Sequence, residues 1–369
     1  MYKWYDKSGR NEDVVISSRI RLARNLSDYK FASRLEEEEA VRMVNSVVAQ
    51  FQKDYPEEYR YIFINTCSEA QLGALKERRS ISSYLVKSRT GAAILSKDEG
   101  MSVLLNAEDH IRIQVLESGM NMSECFKRAN ETDDYIDANF DYAFDEKYGY
   151  KTTYPTNVGT GMKADYTLHL PALADAKKIT QIGTELGRFG IKIRMIYGDS
   201  ESGYGNLYQV SSQKTLGQEE REIIKDLDDI VIQIISQERE QRRFRYEKDK
   251  YSAEDMAYKS YGVLKYARKL SLKDAMSLLS ELMLGISTGI LAVGNGGHIA
   301  FNKLLADIQP AVLGSSVGKA LSVDETDVLR AQYLRNNIPD IIYAGGVQYA
   351  ERIYQKSGRG FTVRRAGGF

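Results

Sequence analysis

The chain has 369 residues, with 51 basic and 51 acidic side chains and 43% apolar residues. That length and apolar fraction suit two domains with sizeable cores, and the balanced charge argues against bulk nucleic-acid or membrane binding. Two cysteines, Cys67 and Cys125, imply no disulfide framework and fit a reducing cytoplasm.

In chain order, residues 1–12 are a polar segment without the apolar stretch of a signal peptide. From Ser17 onward, Val14 to Arg24 alternates, with Ile20 and Leu22 on one face and Arg19 and Arg21 on the other, which predicts a strand. Glu36 to Lys53 predicts a helix whose stripe is Ala40, Met43, Val44, Val47 and Phe51. Tyr59 to Asn65 and Ala92 to Leu95 read as short strands. Met101 to Asn106 and His110 to Leu116 read as strand arms around Ala107-Glu108-Asp109. Met122 to Asp137 reads as a helix, Tyr166 to Leu170 and Ile191 to Tyr197 as strands, and Gln218 to Arg243 as a long helix.

Phe244 to Asp255 is charged and aromatic and marks a domain boundary; Met256 to Ile290 and Ala300 to Ile338 then read as helices broken by glycines. The longest apolar run, Leu282 to Val293, is interrupted by Gly285, Ser287, Thr288 and Gly289, whereas a membrane span needs roughly 20 residues. The expected architecture is α+β: a mixed domain over 13–245, a helical domain over 256–342, and a mobile tail, 343–369, rich in Gly, Arg and Tyr.

Several chemistries find no support. There is no GxxxxGK[ST] phosphate loop, no HRD or DFG, and no complete GxGxxG. His110, His169 and His298 have neither metal-site spacing nor a nucleophile partner, so no metal centre is expected. The remaining signals are arginines near loops. Arg19 and Arg21 can grip neighbouring phosphates, or form a solvated strand face. In NAEDHIRIQV, alternation places Glu108, His110, Arg112 and Gln114 on one face above Ile111, Ile113 and Val115, as a site or as a structural ion pair. TYPTNVGTGMKAD offers two glycines beside Lys163, an anion cradle or an ordinary turn. Arg194 precedes YGDSESGYGN, an acidic flap or a plain surface loop.

Taken together, VISSRIRLARN, NAEDHIRIQ, YPTNVGTGMKADYTLHLPAL, the YGD flap, GNLYQVSSQKTLG and KSYGVL occur in an order that resembles the phosphagen (ATP:guanido) kinase family, most closely its bacterial protein arginine kinase branch. The resemblance implies a glutamine-synthetase-like antiparallel sheet flanked by helices. Creatine and arginine kinases carry a helical domain ahead of the first motif; here SSRIR begins at Ser17 and a helical region follows instead, which favours a protein substrate over free arginine.

The resemblance assigns ATP to Ser17, Ser18, Arg19, Ile20, Arg21, Arg79 and Arg112. It adds Lys163, Ala164, Asp165, Tyr166 and Thr167, then Arg194, Met195, Ile196, Tyr197, Gly198 and Asp199. Glu108 and Asp199 match the catalytic carboxylates, and Asp327 and Arg330 a phosphoarginine pocket. Five positions depart from the pattern. Ala107 replaces the first Glu of NEEDH, Lys163 an Arg, Asp199 a Glu, Tyr154 a Cys, and Thr326 the first Arg of the pocket.

The implied activity is transfer of the ATP γ-phosphoryl group, with Mg2+, to arginines exposed on proteins, in stress response and protein quality control. Implied partners are a zinc-containing activator, a protease chaperone and a second copy in a homodimer, with no nucleic acid and no membrane. The alternatives are a kinase of free arginine or another small guanidine, and a degenerate kinase acting as an ATP- or phosphoarginine-dependent adaptor.

Overall fold

The computed structural model describes residues 2–198, 203–294, 297–319 and 321–343. The Asp199 end of the flap and the tail beyond Tyr343 lie outside them. Among the described residues the first half builds strands β1 (Val15–Arg24), β2 (Tyr59–Phe63), β3 (Ala92–Ser96), β4 (Met101–Leu105) and β5 (Ile111–Ser118), with helices α1 (Glu37–Asp54), α2 (Glu69–Glu77) and α3 (Met122–Asp137). A two-residue hairpin follows, β6 (Phe144–Asp145) and β7 (Gly149–Tyr150), then β8 (Met162–His169), α4 (Pro171–Asp175), α5 (Ile179–Arg188), β9 (Ile191–Met195), β10 (Leu207–Ser212) and α6 (Glu220–Lys248).

Eight strands form one antiparallel sheet in the order β2-β3-β4-β5-β1-β8-β10-β9. Strand alternation divides it into two chemically different faces. Ile20 and Leu22 of β1, Ile113 and Val115 of β5, Ala164, Tyr166 and Leu168 of β8, and Val210 of β10 enter the main core. That core is closed by the stripes of α1 (Met43, Val44, Val47, Phe51), α3 (Cys125, Ala129, Ile136) and α6 (Ile223, Leu227, Val231, Ile234). The other face carries Arg112 and Gln114, then Arg19 and Arg21, then Lys163, Asp165 and Thr167, then Gln209 and Ser211, then Lys192 and Arg194. Neighbouring strands bring these into register: Arg21 pairs with Lys163 and Gln114, Arg19 with Asp165, and Gln209 with Thr167 and Arg194.

The second half is helical: α7 (Lys250–Tyr266), α8 (Leu272–Ser287), α9 (Phe301–Asp307), α10 (Pro310–Val317) and α11 (Val323–Asn337), with a small hairpin of β11 (Leu291–Val293) and β12 (Ile341–Tyr343). Its core gathers Leu264, Met276, Leu279, Leu282, Leu304 and Leu334, and takes in Ile16 and Leu207 from the sheet. No helix among the described residues is long and apolar enough to cross a membrane.

Three expectations need correction. β8 starts at Met162, so Lys163 stands on a strand and not in the preceding loop. β10 lies inside the sheet although Leu207–Ser212 showed no strand signal; it is half polar because one of its faces belongs to the cleft. α6 runs past the expected end at Arg243 to Lys248, and the break, inside the Phe244–Asp255 segment, falls at Asp249, whose carboxylate accepts from the Ser252 backbone N–H and starts α7.

Candidate active site

The polar face of the sheet opens into a cleft of about 280 Å³ lined by Arg21, Glu108, Arg112, Lys163, Lys192 and Arg194, with Gln209 and Gln213. Five of these were expected from sequence as site residues: Arg21, Glu108, Arg112, Lys163 and Arg194.

Asp165 organises the arginines. It is fully buried, and Oδ2 accepts from Arg19 Nε and Arg21 Nη2, each at 3.0 Å. Arg79 Nη2 lies 3.9 Å from Oδ1, and Arg79 Nη1 donates to Ser17 Oγ at 3.2 Å and Thr167 Oγ1 at 3.1 Å. Burial alone would raise the Asp165 pKa, but Arg19, Arg21 and Arg79 outweigh it and hold the carboxyl below its ordinary value. One carboxylate cannot neutralise three guanidiniums. Burial and then Arg19 push Arg21 down to about 9 and Arg79 to about 10. Burial and then Arg21 push Lys163 down to about 8, and its Nζ donates to the Gln213 carbonyl at 2.8 Å. Arg21 Nε is also buried without a partner. The cleft is therefore a cationic surface with unspent donors, which a polyphosphate would satisfy.

Glu108 faces this surface from a tight turn between β4 and β5, in which Asn106 adopts φ +55° and its N–H donates to the His110 carbonyl at 2.8 Å. Glu108 Oε1 accepts from Arg112 Nη1 at 2.5 Å. Here the strand reading was wrong in detail. β5 begins only at Ile111, so Glu108 is not on the strand and His110 does not share its face. His110 is buried, with Nδ1 accepting from the Leu26 N–H at 3.0 Å and Nε2 lying 2.7 Å from the Lys30 carbonyl. Those partners define the neutral Nε2–H tautomer, and burial lowers its pKa. Ala107 leans on a small apolar cluster with Ile64, Leu72, Ile81 and Leu85, a setting that suits a methyl group and not a carboxylate.

The loop opposite is pinned by Arg24, which is buried, stacks 3.5 Å from the Tyr150 ring centroid, pairs with Asp133 at 2.7 Å and donates to the Thr160 carbonyl at 2.9 Å. Gly161 passes so close that a Cβ there would lie 2.6 Å from the Ala23 carbonyl oxygen, at φ +65°.

Alternation removes part of the predicted nucleotide set. Ser18, Ile20, Ala164 and Tyr166 point away from the cleft: Ile20, Ala164 and Tyr166 lie in the core, Ser18 Oγ donates to the Gly119 carbonyl at 2.6 Å, and Tyr166 donates to Asp228 at 2.6 Å. Only their backbones run past the site. Met195 leans on the same core, while Ile196 and Tyr197 pack toward the helical domain and Gly198 turns at φ +83°. Arg194 reaches the cleft, its Nε donating to Gln209 Oε1 at 2.8 Å. Asp199 lies outside the described residues.

In the helical domain, Arg330 is buried. It donates to the Ile308 and Leu270 carbonyls, both at 2.9 Å, and to Asp327 at 2.5 Å; Thr326 is buried and donates to the Ser322 carbonyl at 2.8 Å. Sequence reasoning missed Lys192, although it stands two residues before Arg194 and alternation alone puts both on one face.

This fold and cleft define a phosphoryl-transfer site, and comparison gives the family. Residues 39–241 match the model of the ATP:guanido phosphotransferase C-terminal catalytic domain, and 250–344 that of the protein-arginine kinase McsB C-terminal domain. The chain belongs to the ATP:guanido phosphotransferase family. Its relatives within that family include the protein-arginine kinase of Bacillus subtilis (strain 168), 39% identical over 91% of this chain and 93% of that one. Another is the protein-arginine kinase of Halalkalibacterium halodurans, 39% identical over 90% and 94%. The fold is shared with lombricine kinase, at TM-score 0.54 and 20% identity over 63% of this chain and 69% of that one. It is shared also with the duplicated taurocyamine kinase of Schistosoma mansoni, at TM-score 0.54 and 21% identity over 64% and 35%.

Proposed function

We propose that this protein is a protein arginine kinase that moves the ATP γ-phosphoryl group onto arginine side chains of other proteins. The observation that carries the reading is the placing of Glu108 across one cleft from Arg21, Lys163 and Arg194, with Arg112 between them. An arginine guanidinium is protonated at ordinary pH, its pKa above about 12, and is a poor nucleophile until one nitrogen is held in line and loses a proton. Glu108 is the carboxylate that grips and deprotonates it. The guanidiniums and Lys163 take the charge spread over the transferring group. Arg112, bound to Glu108 in this structure, links the two halves: phosphate drawing on Arg112 frees Glu108 for the acceptor. Asp199 is the second carboxylate of this reading.

Among the described residues there is no group of three or more His, Cys, Asp or Glu side chains fit to hold a metal. Magnesium would arrive on the ATP phosphates and keep several waters, and Glu108 and Asp109, which line the cleft, are carboxylates that could receive them. Magnesium would neutralise phosphate charge; the protein's own residues hold the nucleotide and the acceptor.

The decisive substitution is Glu108→Gln, which keeps shape and removes basicity. Turnover to acid-labile phosphoarginine should fall by about a hundredfold or more, with the protein still folded at the assay temperature in a melt run alongside. Wild-type turnover in that variant would refute the mechanism, and a wild type that makes no phosphoarginine with ATP, magnesium and any activator supplied would favour the adaptor reading.

The same reading includes a homodimer. α7 leaves Tyr251, Met256, Tyr258, Val263 and Tyr266 exposed along one broad side, a surface suited to a second copy. It also includes a zinc-containing activator, a protease chaperone and a role in stress response and protein quality control. The free thiols Cys67 and Cys125 accord with a cytoplasmic setting.

A further inference from the structure

Two loops meet beside Glu108, and each is tied to the turn that carries it. Ser82 Oγ lies 3.5 Å from Glu108 Oε2. The Thr153 N–H donates to Asp109 Oδ1 at 2.7 Å, and Asn25 holds the same oxygen at 2.7 Å. Each loop then projects a tyrosine. Tyr84 follows Ser82 by two residues; Tyr154 follows Thr153, its carbonyl fixed by Thr152 Oγ1 at 2.8 Å. Their rings stand edge to face, 6.4 Å apart at 65°, with hydroxyls 3.3 Å apart. Tyr84 is 52% exposed and Tyr154 42% exposed. Single exposed aromatics need no explanation. Here two come from separate loops, both anchored to the same carboxylate turn, and meet in water where packing does not require them.

The chemistry of this pair suits one ligand. An arginine side chain is an apolar stem ending in a planar, weakly hydrated cation, which stacks on aromatic faces; a lysine ammonium is a compact, strongly hydrated charge that gains less. We infer that Tyr84 and Tyr154 form the entry through which a protein-borne arginine reaches Glu108, holding its stem and guanidinium by their ring faces and so helping to select arginine as the acceptor. The inference rests on the kinase reading above and adds residues that decide which side chain enters.

The test is steady-state kinetics with a short Gly/Ser peptide carrying a single arginine, and a lysine peptide as competitor. Wild type is compared with Tyr84→Ala, Tyr154→Ala, the double alanine variant and the double phenylalanine variant. The peptide KM should rise about threefold in each single alanine variant and about tenfold in the double, the scale of one or two exposed cation–π contacts. Turnover at saturating peptide should stay within about twofold, and the KM for ATP should not move. The double phenylalanine variant should keep the wild-type peptide KM, because ring faces and not hydroxyls hold the ligand. The lysine peptide should compete weakly with wild type. Should the double alanine variant fail to fold, Tyr84→Leu with Tyr154→Leu keeps the bulk and removes the π faces, with the same expected rise.

An unchanged peptide KM in the alanine or leucine variants would overturn the inference and leave the kinase reading standing. So would a parallel rise in the KM for ATP, or a double phenylalanine variant that behaves like the alanine one. A wild type that, with ATP, magnesium and any activator supplied, transfers no phosphoryl group to the peptide would overturn both.

Discussion

The Lys163 ammonium stands among guanidiniums, across the β1–β8 register from Arg21. Burial and that neighbour bring its pKa down to about 8. Between about 8 and the unfolded value of about 10.4, the folded chain binds fewer protons at this position than the unfolded one, so the contribution of Lys163 to stability improves as pH rises through that window. Nucleotide binding runs the other way, because phosphate favours the charged amine. Wild-type affinity for ATP should therefore weaken by about tenfold from pH 7 to pH 9, one unit past the pKa. Lys163→Arg keeps its charge and supplies a two-pronged donor, so it should bind ATP more tightly and respond less to pH. Calorimetric titration of both proteins at the two pH values measures this; any share from Arg21 is common to both. Identical pH slopes would place Lys163 outside the nucleotide site.

β1 and β8 show how one carboxylate lets a cationic face exist inside a fold. Without Asp165, the guanidiniums of Arg19, Arg21 and Arg79 would face each other without a counter-ion under partial burial. Asp165→Asn keeps the shape and removes the charge, so it should cost about 3–5 kcal/mol, the scale for breaking a buried ion pair from one side. It should also lose ATP affinity as the arginines move apart. The Asp165 pKa is depressed in the folded state. Its contribution is therefore complete above the unfolded carboxylate value of about 3.9 and is lost as pH falls through the folded value. Thermal melts of wild type and Asp165→Asn should run parallel from pH 7 to about pH 4 and then draw closer toward pH 3 without meeting, because the folded value lies lower still; a gap that stays constant below about pH 4 would contradict the linkage.

The helices and β1 were legible because each sets an apolar stripe against a polar side: Met43, Val44, Val47 and Phe51 on α1, Ile20 and Leu22 on β1. β10 was not, because its alternation is short: Tyr208 and Val210 enter the core and Gln209 and Ser211 face the cleft, but Ser212 breaks the pattern after these four residues. His110 was misplaced for a related reason. Alternation was extended through a turn, where side-chain direction follows the Asn106–Asp109 geometry and not the pleat. The cationic residues of the cleft other than Lys192 could be gathered from the family's motifs. The role of Asp165 as their shared counter-ion could not, since it depends on strand register across β1 and β8.

At the scale of the whole molecule, the sheet and the helical domain are joined by polar side chains in a largely buried seam. Asn302 donates to the Ile16 carbonyl at 2.8 Å, Arg78 pairs with Asp307 at 3.2 Å, and Glu77 accepts from the Val312 N–H at 3.0 Å. The centre of the joint is Arg242, buried on α6. It donates to Glu238 at 2.7 Å and to the Asp13 carbonyl, Ser287 Oγ and the His169 carbonyl, each at 2.9 Å. One side chain thus ties α6 to the approach to β1, the end of β8 and helix α8. Glu238, fully buried, caps α4 by accepting from the Ala172 and Leu173 N–H groups at 3.1 and 2.9 Å. Arg242→Met preserves the apolar stem and removes every one of these donations, leaving Glu238 as a buried charge without its cation. The expected loss is about 3–5 kcal/mol. The two apolar cores are separate clusters, so the damage should fall on their coupling: calorimetry should show a lower onset and a split into two transitions where wild type shows one. Arg243→Met, next along α6 and facing solvent with Glu247 3.8 Å away, is the control and should change stability by less than about 1 kcal/mol. ATP affinity of the Arg242→Met protein, measured below its first transition, should stay near wild type, because no cleft residue touches Arg242. A single unshifted transition in Arg242→Met would mean that the apolar contacts of Ile16 and Leu207 with the helical core suffice to hold the halves together.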